Sequence, residues 1–329
     1  MGTTYVVKLA RPPQGLAAAK VQAAIDEVLA HIDATMSGYR EDSEISRFNA
    51  AQTTDWIPVS EDLAHIVQVA HELSAASGGA FDVTVAPLVQ AWGFGSNGEP
   101  VSLPDGPTLA SIGERIGYEK LHVRTEPAAL RKDVASLSVD LNAIAPGYAV
   151  DLIGERLEAL AIRDFMIDLG GEVLAKGRNA QGVFWRIAIE RPVDAEPEPY
   201  AIVELRNDAV TTSGEYRHYH VRDGRRYSHT IDPRTSMPIE HDLAAVVVLG
   251  PTSMYTDGWA TAFNVLGTQA GHALALERQM AVMFIDCIDG RLHPRATAQF
   301  QARIVRPVAE TIAPGSSGQS RTCGTGRGS

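Results

Sequence analysis

The chain opens on "TTYVVKLA" from Thr3, a short apolar run that reads as a strand. The next stretch, "GLAAAKVQAAIDEVLAHIDATM", repeats apolar residues at Val21, Ile25, Leu29, Ile32 and Met36, which is helical spacing. A second helix is expected from Ser60 to Ser77, with Ser60 as its cap and Gly78-Gly79 as its stop. A third runs from Ala145 to Leu160, where Pro146 is tolerated because an N–H in the first turn has no intrahelical partner.

From Asp164 the pattern becomes strand-like: "DFMIDL", "FWRIAIE", "AIVELR", then "YRHYHV" and "RRYSHTI" about Asp223-Gly224, a hairpin signal. "AAVVVLG" and "AVMFID" add two buried strands, and between them "YTDGWATAFNVLG" (Tyr255 to Gly267) predicts a fourth helix that stops at its glycine. Early helices followed by hairpin-linked strands predict an α+β fold, a single domain of mixed or antiparallel sheets with packed helices. No repeat of fixed period occurs. "PVDAEPEPY" is expected to be a surface loop, and residues 309–329 are too poor in apolar groups to order themselves, leaving residues 1–308 as the folded domain.

Composition narrows the function. Hydrophobic residues make up 45% of 329, enough for a substantial core, while 40 acidic against 29 basic residues give a net charge of -11 that repels a nucleic-acid backbone. Cys287 and Cys323 form neither a disulfide framework nor a metal-ligand cluster. No apolar run of about 18 residues occurs, and the first residues lack the charged start and cleavage site of a signal peptide. As written, the chain is expected to stay where it is made.

Several stretches carry candidate chemistry. On a helical wheel Asp257, Thr261 and Asn264 fall on one side, opposite Tyr255, Trp259, Ala262, Phe263 and Leu266. That is either the solvated stripe of an amphipathic helix or, with no Lys, Glu or Arg in it, a pair of hard oxygen ligands suited to Mg²⁺. "VDLNAIAPGYAVD" from Val139 is a plain strand-to-helix link or a strand end placed before free helix N–H groups. "SGGAFDVTVAPLVQAWGFG" from Ser77 is a helix stop and strand, or a place where paired glycines let backbone approach a flat ligand. His229, in "YSHTIDPRT", is a structural strand histidine or a general base.

Taken in order, "MGT", "YREDSEISRFN", "GGAFDVTVAPLVQAWGFG", "DLNAIAPGYAVD", "DLGGEVLAKG", "TTSGEYR", "SHTIDPRT" and "TDGWATAFNVLG" resemble the FAD:protein FMN transferase (ApbE-like) family over roughly residues 1–305. The resemblance implies a Mg²⁺-dependent enzyme that moves the FMN half of FAD onto a threonine or serine hydroxyl of a target protein and releases AMP. Hydrolysis of FAD to FMN and AMP, or a non-catalytic flavin carrier, are the alternatives. It implies Asp257, Thr261 and the Ala143 carbonyl as metal ligands, and flavin contacts at Met1, Tyr39, Ala80, Phe81, Asp82, Asp140 and Ile231. His229, or a nearby carboxylate, would take the hydroxyl proton. The implied acceptor is a subunit of a redox membrane complex or a flavin reductase domain.

Three residues depart from the family pattern: Pro146, where many members carry Lys or Glu; Ser236, in place of the glycine of "DPRTG"; and Ala260, acidic in some members. Members are typically exported and lipid-anchored, with "MGT" a little after the anchor. Localisation therefore stays open between a cytoplasmic member and a periplasmic one anchored through a missing leader.

Overall fold

The structure is a computed structural model that describes residues 2–95, 102–193, 198–214, 219–222 and 225–306. Met1 and the tail 309–329 lie outside the described residues, as does the turn at Asp223-Gly224. The chain runs β1 (Tyr5–Leu9), α1 (Ala18–Met36), α2 (Glu44–Ala50), β2 (Ile57–Pro58) and α3 (Glu61–Ala76). Next come α4 (Ala86–Ala91), α5 (Gly106–Gly113), β3 (Leu121–Thr125), β4 (Ala128–Lys132) and α6 (Ala145–Ala159). Strands follow: β5 (Phe165–Leu169), β6 (Glu172–Lys176), β7 (Trp185–Glu190), β8 (Pro199–Leu205), β9 (Ala209–Gly214), β10 (Tyr219–Arg222), β11 (Arg225–Ser228), β12 (Ile231–Asp232), β13 (Met237–Pro238) and β14 (Leu243–Gly250). Last are α7 (Ser253–Glu277), β15 (Ala281–Ile288), β16 (Arg291–Ala296), α8 (Ala298–Gln301) and β17 (Ile304–Arg306).

A seven-stranded antiparallel sheet in the order β1-β5-β6-β9-β14-β15-β16 divides the molecule. Its interior strand β14 is apolar throughout because both faces are covered, so successive residues serve different cores. Val246 and Val248 pack with α1, α3, α6 and α7 in the larger core, whereas Val247 and Leu249 pack with Trp185, Val203 and Phe300 on the other side. Of two three-stranded sheets, β17-β8-β7 packs on its second face and β2-β4-β3 lies against α3. The fold is α+β, and every pairing found is antiparallel. Among the described residues no helix is long and apolar enough to cross a membrane.

The helices end where their caps dictate. Ser60 Oγ accepts from Leu63 N to start α3, and Gly78 and Gly79, both at positive φ, terminate it. The strand expected after Ser77 does not form: Asp82 caps a single 3₁₀ turn, Val83–Val85, which runs into α4. The helix at Tyr255 breaks at Gly267, as expected, but its polar side is not solvated. Gly267 (φ 71°, ψ 174°) kinks α7, which then resumes, and His241 takes the Asn264 carbonyl beside the kink. Asp257 and Asn264 are buried. The polar stripe is therefore interior, which removes the solvated-helix reading. Lys132 on β4 is likewise fully buried, its ammonium donating to the carbonyls of Asn49, Ala51 and Ala135 at 3.2, 2.8 and 3.1 Å beneath the Phe48 ring. Cys287 is buried on β15, and Cys323 lies outside the described residues.

Candidate functional site: a junction of two helix N-termini

Gly147, the third residue of α6, donates its N–H to Asp257 Oδ2 at 3.0 Å. It is one of the N–H groups at a helix start that have no intrahelical acceptor; the helical ladder begins one residue on, with Tyr148 N donating to Ile144 O at 3.1 Å. Asp257 therefore caps the start of α6, and Ala143 stands one residue before the N-cap Ile144, outside the helical ladder. Thr261, half-buried, follows one turn along the same side of α7. The Gly147 bond thus brings Asp257, with Thr261 one turn behind it, to the start of α6, which Ala143 precedes.

The electrostatics of the junction are those of excess negative charge. Burial, and after it the charges of Glu172 and Asp151, push the Asp257 carboxyl well above its usual range, with the Gly147 N–H acting the other way. Asp151 accepts from Ser253 N at 2.7 Å and Met254 N at 2.8 Å, yet burial carries it up to about 6. Glu172, just after the Gly170-Gly171 turn, is pushed up to about 7 by burial and by Asp168. Among the described residues no three His, Cys, Asp or Glu side chains are grouped to hold a metal. A site with one carboxylate, one hydroxyl and one carbonyl would not form such a group. These donor types suit a hard divalent cation, because Asp257 is a buried carboxylate whose nearest charges, Glu172 and Asp151, are also negative.

The segments expected to meet flavin are tied to this junction through backbone. The strand end expected before α6 does not form, since β4 stops at Lys132; instead Asp140, in an irregular segment, donates its N–H to Val83 O at 2.7 Å and joins that segment to the Phe81-Asp82 loop. The Phe81 ring lies in the larger core and the Asp82 carboxylate is engaged by Thr84 N, Thr84 Oγ1 and Tyr118 N, so this loop offers a ligand its backbone rather than its side chains. Burial raises both Asp82 and Asp140. The Asp140 carboxylate accepts from Asn142 N and shapes the turn into α6. Gly79 faces Arg234, whose guanidinium forks onto Asp232 at 2.9 and 2.7 Å. Ile231 packs beside Trp92. Tyr39 is 69% exposed on the turn before α2, and that helix is clamped to Val139 through Asn49.

His229 sits beside Phe94, ring to ring at 6.4 Å. The link from this segment to α7 is made one residue on, where Asn264 Nδ2 donates to Thr230 Oγ1 at 3.2 Å, two turns along from Asp257. Sequence reasoning left Gly147, Asp151, Glu172 and Arg234 without a role. One signal for two of them was present: Gly147/Asp151 and Ser253/Asp257 are each spaced by four, one helical turn.

Comparison with known proteins gives the class first. The chain is 40% identical to the FAD:protein FMN transferase of Vibrio cholerae over 302 residues, covering 92% of this chain and 90% of that one. It is 37% identical to the Escherichia coli K12 protein of the same name, covering 77% and 73%. The fold superposes on the flavin transferase ApbE from Vibrio cholerae with a TM-score of 0.85 at 38% identity, covering 92% of this chain and 96% of that one. The Pseudomonas stutzeri flavinyl transferase ApbE matches with a TM-score of 0.85 at 39% identity, covering 94% and 95%. The protein is an enzyme of the transferase class. Residues 1–284 match the ApbE family, and the chain belongs to it.

Proposed function

We propose that this protein transfers FMN from FAD to a threonine or serine hydroxyl of a target protein, with Mg²⁺ bound at the α6–α7 junction. The observation that supports the metal assignment is the bond from Gly147 N–H to Asp257, which holds a buried carboxylate of α7 at the start of α6, where Ala143 precedes the helix. Asp257, Thr261 and the Ala143 carbonyl would hold the ion, and the flavin half would lie along the Ala80-Phe81-Asp82 backbone, with Tyr39, Asp140 and Ile231 as further contacts. Met1 is a flavin contact by the same reading, outside the described residues.

When bound, Mg²⁺ offsets the charge that builds on the pyrophosphate. The acceptor oxygen forms its bond to the FMN-side phosphorus as the bond to the bridging oxygen breaks. AMP leaves with that oxygen, and His229 takes the hydroxyl proton. Positioning by the surrounding backbone supplies the in-line geometry.

The test is to incubate the protein with FAD, Mg²⁺ and a target domain carrying an acceptor threonine. In-gel flavin fluorescence and an added FMN mass on the target are expected. Free FMN alone would establish FAD hydrolysis instead, and bound FAD with neither product would establish a carrier.

A further inference from the structure

The two helices at the junction are pinned by a reciprocal arrangement. On α6, Gly147 gives its N–H to Asp257 of α7; on α7, Ser253 and Met254 give theirs to Asp151 of α6. In each helix the donor and the carboxylate are four residues apart, so each carboxylate satisfies N–H groups that its partner helix would leave open. The contact between them is backbone on backbone: a Cβ at Gly147 would stand 2.5 Å from the Ser253 carbonyl oxygen and 2.8 Å from Met254 Cα.

We propose that Asp151 is a positioning residue for metal binding: by holding the first N–H groups of α7 it sets how far the Asp257 carboxylate and Thr261 hydroxyl lie from the Ala143 carbonyl. This rests on the reading of those three groups as Mg²⁺ ligands. Of the three, one stands just before α6 and two stand on α7, so the distance between them is a property of the helix junction and not of either helix. Asp257 cannot hold that distance alone, because its bond to Gly147 is made by a group that must also serve the ion. Asp151 makes no demand on the ion and holds the same two helices from the other side. Its carboxylate is occupied by two N–H donors, which places it outside the set of ligands.

Asp151→Asn keeps the shape but presents one acceptor oxygen and one NH₂ to two N–H donors. Ser253→Pro removes one of those donors and leaves the carboxylate in place. Proline is compatible with the first helical position, and Thr252 before it is already extended (φ -135°, ψ 156°). The measurements are Mn²⁺ binding to the apo protein by electron paramagnetic resonance, FAD binding without metal by flavin fluorescence, thermal melting, and transfer rate against Mg²⁺ concentration.

Both variants are expected to weaken Mn²⁺ binding about 10- to 100-fold, the range typical when a group that orients a metal ligand is lost. The half-saturating Mg²⁺ concentration should rise in parallel, the rate at saturating Mg²⁺ should stay within about threefold, and metal-free FAD binding within about twofold. Wild-type Mn²⁺ affinity in either folded variant, whatever its melting temperature, would reduce Asp151 to a helix cap and overturn the proposal. Wild-type protein that neither binds Mn²⁺ nor needs a divalent cation for transfer would overturn the metal reading as well, which separates the two failures.

Discussion

Gly147→Ala tests the junction with the smallest possible change, one methyl group. Built on this backbone, the new Cβ lies 2.5 Å from the Ser253 carbonyl oxygen, 2.7 Å from its carbon and 2.8 Å from Met254 Cα. All three are backbone atoms, so no side chain can swing away. Reaching ordinary contact at 3.4 Å requires α6 and α7 to part by about 0.9 Å at this point, and forced overpacking of this kind costs about 1–3 kcal/mol. That displacement stretches the Gly147 to Asp257 bond from 3.0 Å out of hydrogen-bonding range, and losing a bond to a buried carboxylate costs a further ~1.5–3 kcal/mol. Alanine's better helix propensity returns about 1 kcal/mol. The net is a loss of about 1.5–5 kcal/mol, or about 2–7 °C in melting temperature for a chain of 329 residues. Scanning calorimetry on the apo protein, with Mn²⁺ binding measured alongside, reads both consequences. Melting within 1 °C of wild type, as one methyl on an uncrowded helix would give, together with unchanged Mn²⁺ affinity, would refute the tight backbone contact and its link to the metal site.

Other outcomes follow from the same geometry. Asp257→Asn should abolish transfer while leaving the apo protein at least as stable near pH 8, since it removes a buried charge that burial, Glu172 and Asp151 all disfavour; a drop of several degrees in melting temperature would contradict this. Ser236 holds a left-handed φ of 63°, a conformation glycine adopts without strain, so Ser236→Gly should raise stability by about 0.5–1 kcal/mol in a denaturant titration. Glu172 binds its proton more tightly folded, up to about 7 against 4.5 unfolded, so its contribution is complete below about 4.5 and is lost as pH rises through 7. Apo stability should therefore fall by at most about 3 kcal/mol across that window, and in Glu172→Gln the slope should flatten; equal slopes would remove Glu172 as its source.

The parts of the fold legible in sequence were those set by local rules. Ser60 as a cap, Pro146 in a first turn and the period of α1 all speak within one turn of chain, and the apolar strands β14 and β15 announce burial on both faces. What was not legible depended on a partner far along the chain. The run after Ser77 has strand-like residues, yet Asp82 is committed to Thr84 and to Tyr118, and the chain coils instead. The polar side of α7 is buried because α6 packs on it, a fact no wheel of α7 contains. Asp257 and Thr261 were reached through family resemblance, while Asp151 was passed over because its donors lie 102 and 103 residues away.

Lys132 offers a use outside catalysis. Its amine is wrapped by three carbonyls and an aromatic face, and burial lowers its proton affinity, so in the native protein it is shielded from acylating reagents although it would be a competent nucleophile once uncovered. The time course of its labelling is then a clock for opening of the region where β4 and α2 meet, readable by mass spectrometry in a mixture and without any flavin present.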